Sequence, residues 1–250
     1  TDANAILDEK CINEIVGSFT DNVSYVSGVL VYTNKEISST SNTENIYWDL
    51  DTKIRQIESN FQTITAGNGA IYAVKTEKYH DFNPIMCHDS AMPLYYSLRG
   101  ERAVSNSRAI AYEKAGENDK DEFRRKVRMS RIVLSFILPS VRILNVFKYK
   151  WYTYFYLGHR TSRYLLWFNH IALFVTNIML ISDSLIYLVP FILQIIIYMI
   201  AILQPVLKTN NKLFIFISYY CMTIVAQLFG VIGTIFHKNK PFWEKAESTR

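Results

Sequence analysis

The chain is 250 residues long, half of them hydrophobic, with a net charge of +5 and a pI near 8.9. The charge is divided unevenly: residues 1–130 hold 15 Lys and Arg against 19 Asp and Glu, whereas residues 131–250 hold 12 against 3. Cations that flank apolar runs set membrane topology or touch anionic lipid, so the basic pI does not mark a nucleic-acid partner. Three cysteines, Cys11, Cys87 and Cys221, match no zinc or CxxC spacing and read as isolated buried thiols.

Residues 5–16 carry Ile6, Leu7, Ile12, Ile15 and Val16 at helical spacing, and Gly17 and Asp21-Asn22 end the pattern. The β-branched and aromatic run 23–32 predicts a strand. Residues 34–45 are polar and read as a loop, and 46–62 as an amphipathic helix. Gly67-Asn68-Gly69 signals a turn before a short buried strand over 70–74. A helix over 90–99 and a strand over 102–111 follow, then a polar stretch, 113–121, that leads into Glu122-Phe123-Arg124-Arg125-Lys126-Val127-Arg128-Met129.

Three later segments, 164–182, 184–204 and 213–236, each approach the ~20 residues needed to cross a bilayer. The apolar stretch 132–157 differs, because it contains Arg142, Lys148 and Lys150 with Trp151, Tyr152, Tyr154, Phe155 and Tyr156 clustered behind. Arg at the centre of a span costs about 3 kcal/mol on insertion scales, so this stretch is expected to lie on the membrane as an amphipathic helix. The expected layout is an α/β domain over 1–130, an interfacial segment over 131–163, and membrane helices with a short basic tail over 164–250. With three spans and a cytoplasmic α/β part, the tail with His237, Lys238, Lys240, Lys245 and Arg250 falls outside, against the positive-inside tendency.

Four short clusters carry chemistry. In Thr1-Asp2-Ala3-Asn4, a carboxylate and an amide oxygen two residues apart can hold a hard divalent cation that in turn holds a diphosphate, and the same pattern suits a turn or helix cap. In Ala66-Gly67-Asn68-Gly69-Ala70, two glycines let backbone approach a ligand, or simply turn the chain. In Cys87-His88-Asp89-Ser90, Asp89 can act as a general base, or Asp89 or Ser90 can cap a helix. Arg124, Arg125, Lys126, Arg128 and Arg131 can neutralise a diphosphate leaving group or lie against anionic headgroups.

Taken in this order and immediately before membrane helices, the clusters resemble the C-terminal half of a membrane-bound family-2 glycosyltransferase. That group includes hyaluronan, chitin and cellulose synthases and many bacterial capsule and exopolysaccharide enzymes. The resemblance runs from Thr1-Asp2-Ala3-Asn4-Ala5, through the 66–74 stretch Ala-Gly-Asn-Gly-Ala-Ile-Tyr-Ala-Val, to Phe123-Arg124-Arg125-Lys126-Val127-Arg128-Met129 and the closing Phe242-Trp243-Glu244-Lys245. It implies the C-terminal part of a GT-A-type mixed-sheet domain, followed by an interfacial helix and about three transmembrane helices. By the same resemblance Asp2, with Asn4, binds a divalent metal (Mg or Mn) and the nucleotide diphosphate, and Asp89 deprotonates the acceptor hydroxyl. Gly67, Asn68 and Gly69 face the acceptor, as does Met129, and Arg125 and Arg128 meet the donor diphosphate.

The stretch 125–129 falls where the family commonly has Q-x-x-R-W; Arg125 replaces the Gln, Met129 replaces the Trp, and Arg128 is kept. His88 stands where an acidic residue usually precedes the base. The lost Trp removes an aromatic platform that polymer-forming members use for the acceptor. The implied activity is inverting transfer from a nucleotide-sugar donor to a hydroxyl of a lipid-linked or growing glycan in polysaccharide biosynthesis. Its implied setting is the plasma membrane, multi-pass, with the catalytic part cytoplasmic. The family's first strands and uridine-binding acidic residue have no counterpart in the 250 residues, so the chain alone is expected to be inactive. An alternative is a non-catalytic membrane scaffold subunit of a polysaccharide-synthesis complex. A transporter fits less well, since Asp183, at a span boundary, is the lone acidic residue of the spans.

Overall fold

A computed structural model of the chain describes residues 1–34, 39–83, 86–114 and 119–238. The helical spacing at the start divides into a two-residue strand, β1 (Ile6–Leu7), and a helix, α1 (Cys11–Gly17). Asp8 separates them: its Oδ1 accepts from Lys10 N at 3.0 Å and its carbonyl from Cys11 N at 2.9 Å, so the chain turns before the helix can start. Strand β2 (Val23–Tyr32) is buried along nearly its whole length. Helix α2 (Ser39–Phe61) begins inside the stretch expected as loop. Strand β3 (Tyr72–Val74), helix α3 (His88–Ser97), strand β4 (Arg102–Glu113) and helix α4 (Asp119–Met129) complete the α/β part. Residues 115–118 of the expected polar stretch, and the motif 242–245, lie outside the described residues.

The strands form one mixed sheet in the order β1-β4-β2-β3. The central pair β2 and β4 is parallel, with Val26 opposite Val104 and Leu30 opposite Ala111, and both outer pairs are antiparallel. A parallel central pair needs cover on its faces. Helix α1 covers one side, where Cys11 and Ile15 pack with Val23, Val26, Ile71, Ala109 and Ala111. On the other, Met92 and Tyr96 of α3 pack with Tyr25, Ile64 and Ala103.

Helix α2 is rotated in an unexpected sense. Its apolar stripe, Ile46, Leu50, Ile57 and Phe61, is exposed, while Asp51, Arg55 and Glu58 on the opposite stripe are buried. The partners of that charged stripe come from the segment that precedes the apolar helices.

That segment is not the single interfacial helix expected over 132–157. It is a run of short pieces: a 3-10 turn at Ser130–Ile132, α5 (Val133–Ile137), a second 3-10 turn at Val141–Leu144, α6 (Val146–Tyr149) and α7 (Trp151–Phe155). A π-helical turn at Tyr156–Thr161 and α8 (Ser162–Tyr164) follow. The breaks have local causes. Leu138 precedes Pro139 and leaves the helical region, as a residue before proline tends to. Ser140 and Asn145 then accept from Arg142 N and Lys148 N, each starting a new turn. The inward faces of these pieces build a core from Ile132, Val133, Phe136, Ile143, Tyr149, Tyr152 and Tyr156 against Ala91 and Leu94 of α3. Their outward faces present Val141, Phe147 (92% exposed), Trp151 and Tyr154. The amphipathic character read from the sequence is therefore present, in broken rather than continuous helix.

Three apolar helices end the described chain: α9 (Leu166–Leu180), α10 (Leu185–Leu207) and α11 (Lys212–Ile235). Helices α10 and α11, of 23 and 24 residues, are long and apolar enough to cross a membrane. Helix α9 has 15 residues, about 22 Å of rise against the ~30 Å of a hydrocarbon core, so the third expected span is a shorter helix. Helix α11 also docks on the α/β part. A Cβ at Gly230 would stand 2.5 Å from Ser130 Cβ and 2.9 Å from the Val127 carbonyl, and Thr234 donates to Arg131 O at 2.8 Å. Gly230→Leu should force α11 off α4, at a cost of about 1–3 kcal/mol from overpacking, read as a lower thermal midpoint of the detergent-solubilised protein. An unchanged midpoint would exclude this docking.

Candidate functional site

The four sequence clusters lie far apart in the chain, and three of them meet around the start of α3. Asp89 sits in the first turn of α3, one residue inside His88 and two after the cap residue Cys87, so it does not itself cap the helix. The positive end of a helix favours a carboxylate there. The loop 66–70 lies across it. Gly67 N donates to the Asp89 carbonyl at 2.7 Å, and a Cβ at Gly69 would stand 3.7 Å from Asp89 Oδ2. The loop is fixed from below: Asn68 N donates to Ser27 Oγ at 2.8 Å, and Asn68 Oδ1 accepts from Ala70 N at 3.0 Å. Gly67 is required by its neighbour, because a Cβ would fall 2.0 Å from Tyr25 Oη. Tyr25 is fully buried and stacks on Tyr72 with ring centroids 5.3 Å apart.

Asp2 joins from the start of the chain, with its N–H donating to Ala70 O at 3.3 Å. Burial pushes the Asp89 carboxyl up; the cations Arg55 and Arg160 and the Ser90 N–H oppose this, and the Asp2 charge adds to it. Burial and Asp89 together push the neighbouring Cys87 thiol up to about 11, which keeps it protonated at neutral pH. His88 packs at 6.0 Å from the Phe82 ring.

The cations of α4 have different partners. Arg125 donates to both oxygens of Glu122, at 2.8 and 3.0 Å, and through Nη1 to Met129 Sδ at 3.8 Å. Lys126 approaches the same carboxylate at 3.5 Å, and Tyr219 of α11 donates to it at 3.1 Å. Burial would raise Glu122, but Arg125 and Lys126 overcome this and hold it down at about 2. Arg128 lies one turn on from Arg125, on the same side of the helix; burial and the neighbouring Arg125 and Arg131 lower its pKa, and Cys87 and Asp2 oppose the shift. Of the expected diphosphate pair, Arg125 is engaged with Glu122 and Met129, and Arg128 is near enough to Asp2 to feel its charge.

Among the described residues no group of three His, Cys, Asp or Glu side chains gathers into a metal site. The Asn4 amide donates through Nδ2 to Glu113. Asp2 is exposed. A Mg or Mn ion held chiefly by substrate phosphates needs only one or two carboxylates, and Asp2 fits that lesser requirement.

Sequence reading missed a second shell of charge beneath this site. Asp51 pairs with Arg55 and accepts from Arg163 Nη1 at 2.9 Å. Glu58 accepts from Thr65 N and Oγ1 at 2.9–3.1 Å and lies 2.7 Å from His159 Nδ1. Burial would raise Asp51, but Arg55, His159, Arg163 and Arg160 hold it well below the usual carboxylate range. The signal was present as Asp51, Arg55 and Glu58 at helical spacing, with Arg160 and Arg163 beside an apolar run. A cavity of about 690 Å³ lies apart from these groups, between α9, α10 and α11, lined by Phe174, Ile202 and Val225 among others. Its lining contains no carboxylate, Lys or Arg, so it offers nothing for charged-group chemistry.

Glu58→Gln should strip the charge from a fully buried group bonded to Thr65 and His159 and leave the cations around it with Asp51 as their remaining carboxylate. Breaking a buried pair in this way costs about 3–5 kcal/mol, and a fall in thermal midpoint of the purified full-length protein should report it. An unaltered midpoint would show that the cluster contributes nothing to stability. No family model matches the chain, and no curated protein matches it, so the arrangement of these residues is the ground for any functional reading.

Proposed function

We propose that the intact protein is an inverting glycosyltransferase that moves a sugar from a nucleotide-sugar donor to a hydroxyl of a lipid-linked or growing glycan. The observation that carries this reading is the meeting of Asp2, the 67–69 loop, Asp89 and the field of Arg128 at one place, from segments up to 126 positions apart. Asp89 acts as the base: a carboxylate raised by burial is better matched to proton removal near neutral pH than an ordinary one. It takes the acceptor proton as that oxygen bonds to the anomeric carbon. The bond from that carbon to the diphosphate breaks, and its electron pair leaves with the diphosphate. Negative charge thus develops on the leaving group, where Arg128 stabilises it. A Mg or Mn ion at Asp2 supplies further positive charge to the same phosphates. The backbone of Gly67, Asn68 and Gly69 faces the acceptor, with Met129 as a further acceptor contact by the same resemblance.

The two long apolar helices, α10 and α11, support a membrane setting. In this reading the protein is multi-pass in the plasma membrane, with the site on the cytoplasmic face. Helix α9 crosses as a third span by local thinning of the bilayer, and the outward faces of 133–155 rest in the headgroup zone.

In the full-length protein, Asp89→Asn should lower turnover by roughly 10²–10⁴ while donor binding is little changed. Near-normal turnover would remove Asp89 from this role. Arg128→Ala should weaken nucleotide-diphosphate binding by about 1.5–3 kcal/mol, the worth of a charge-assisted bond to phosphate. Calorimetry that finds unchanged nucleotide affinity would return Arg128 to the role of lipid contact. The reading as a whole is tested by assaying membranes that contain the full-length protein against a panel of nucleotide sugars, with Mg or Mn added. Transfer from none of them would favour the scaffold alternative.

A further inference from the structure

We propose that Arg160 is a positioning residue for the Asp89 site, tethering the loop that carries Gly67 to the helix that runs into the apolar bundle. The proposal rests on the reading of Asp89 as the acceptor base. The tether is a continuous chain of contacts. Arg160 Nε donates to Thr65 Oγ1 at 3.1 Å; Thr65 is held by both Glu58 oxygens; and two residues on, Gly67 N donates to the Asp89 carbonyl at 2.7 Å. A shift of Arg160 is therefore passed to the backbone that lies on Asp89.

Arg160 sits in the π-helical turn at Tyr156–Thr161, and π-turns are frequent at functional sites. His159 meets Asp51 and Glu58, Arg160 meets Thr65, and Arg163 meets Asp51. Arg160 is 5% exposed, and its Nη2 has no hydrogen-bond partner among the described residues. An unpaired buried N–H is a poor choice for stability alone. It is explained if the guanidinium is kept for its hold on Thr65 at the base of the loop. The groups that surround Arg160 are Asp51 and Glu58 from α2, Tyr47 from the same helix, and Tyr164 from α8; burial disfavours its charge and these four keep it on. The groups that act on Asp89 include Arg55, Arg160 and Asp2.

Arg163 provides the comparison. It enters the same buried cluster from the same helix, but through Asp51 at 2.9 Å rather than through Thr65. The experiment uses the full-length protein in lipid nanodiscs, as Arg160→Met, Arg160→Lys, Thr65→Val and Arg163→Met. Hydrogen exchange followed by mass spectrometry reads the amides of residues 63–70, and steady-state sugar transfer is measured in parallel. Arg160→Met should speed exchange at 63–70 by about tenfold, the signature of a loop opening locally. It should lower kcat by about 10²-fold with little change in donor KM, as expected for displacement of a catalytic group by about 1 Å. Arg160→Lys should recover part of both, and Thr65→Val should reproduce the faster exchange even where Arg160→Met does not fold. Arg163→Met should leave exchange at 63–70 and the kcat-to-KM pattern unaltered. Equal effects of Arg160→Met and Arg163→Met, or unchanged exchange at 63–70 in Arg160→Met and Thr65→Val, would overturn the tether. If the parent protein transfers no sugar, the exchange arm still decides the tether, and it is the glycosyltransferase reading that fails.

Discussion

The rest of the structure depends on a set of charges that cannot be buried singly. Asp51, Arg55 and Glu58 enter from α2, and His159, Arg160 and Arg163 enter from the helix before α9. Removing an isolated ion from water is costly by several kcal/mol, so each of these side chains can be inside only if its partners are inside too. The cluster therefore fixes several things at once. It turns the charged stripe of α2 inward, holds Thr65 and the loop behind it, and pins the π-helical turn at the entrance to the apolar helices. At the C-terminal end of α2, Gln62 Oε1 accepts from Tyr152 N at 3.1 Å and extends the same contact. The α/β half and the apolar half are thus joined through buried charge rather than through a linker.

The same logic divides the cations of α4. A carboxylate held down to about 2 by its neighbours is a structural ion, and Glu122 uses Arg125, Lys126 and Tyr219 to join α4 to α11. Arg128, one turn further on, lies instead in the field of Asp2. Within this basic run, Arg125 and Lys126 serve the junction of α4 with α11.

What the sequence made legible follows from how local each signal is. Strand β2 was readable because its β-branched and aromatic residues are continuous, and α3 and β4 because each is bounded by its own breaks. The start of α2 was not, since the same polar residues suit a loop or the first turns of a helix. The run 132–157 was misread as one helix because its apolar content hid three local breaks, Pro139, Ser140 and Asn145. At the site, Asp89 and the 67–69 loop were legible as residue types that carry chemistry, and the fold brings them together. Arg55, Glu58 and Arg160 were not. A charged stripe on a helix ordinarily faces water, and only a partner stripe more than a hundred residues away turns it inward. Asn4 donates to Glu113 from across the sheet, a contact that spacing could not reveal, whereas the Glu122–Arg125 pair is a local i,i+3 contact.

The inverted α2 has a consequence for how this protein can be cut. With its charges inward, the helix offers Ile46, Leu50, Ile57 and Phe61 outward, and Phe61 continues into the rings of Trp151 and Phe155, 5.3 and 6.1 Å away. Deleting the apolar helices would therefore not leave a water-loving α/β domain. It would leave one that still carries a greasy seam and has lost Arg160 and Arg163 or exposed them, with Asp51 and Glu58 stranded. A fragment ending before residue 150 would be expected to cling to detergent or to itself. The boundary suggested by the hydropathy of the chain is not a boundary along which the molecule can be divided.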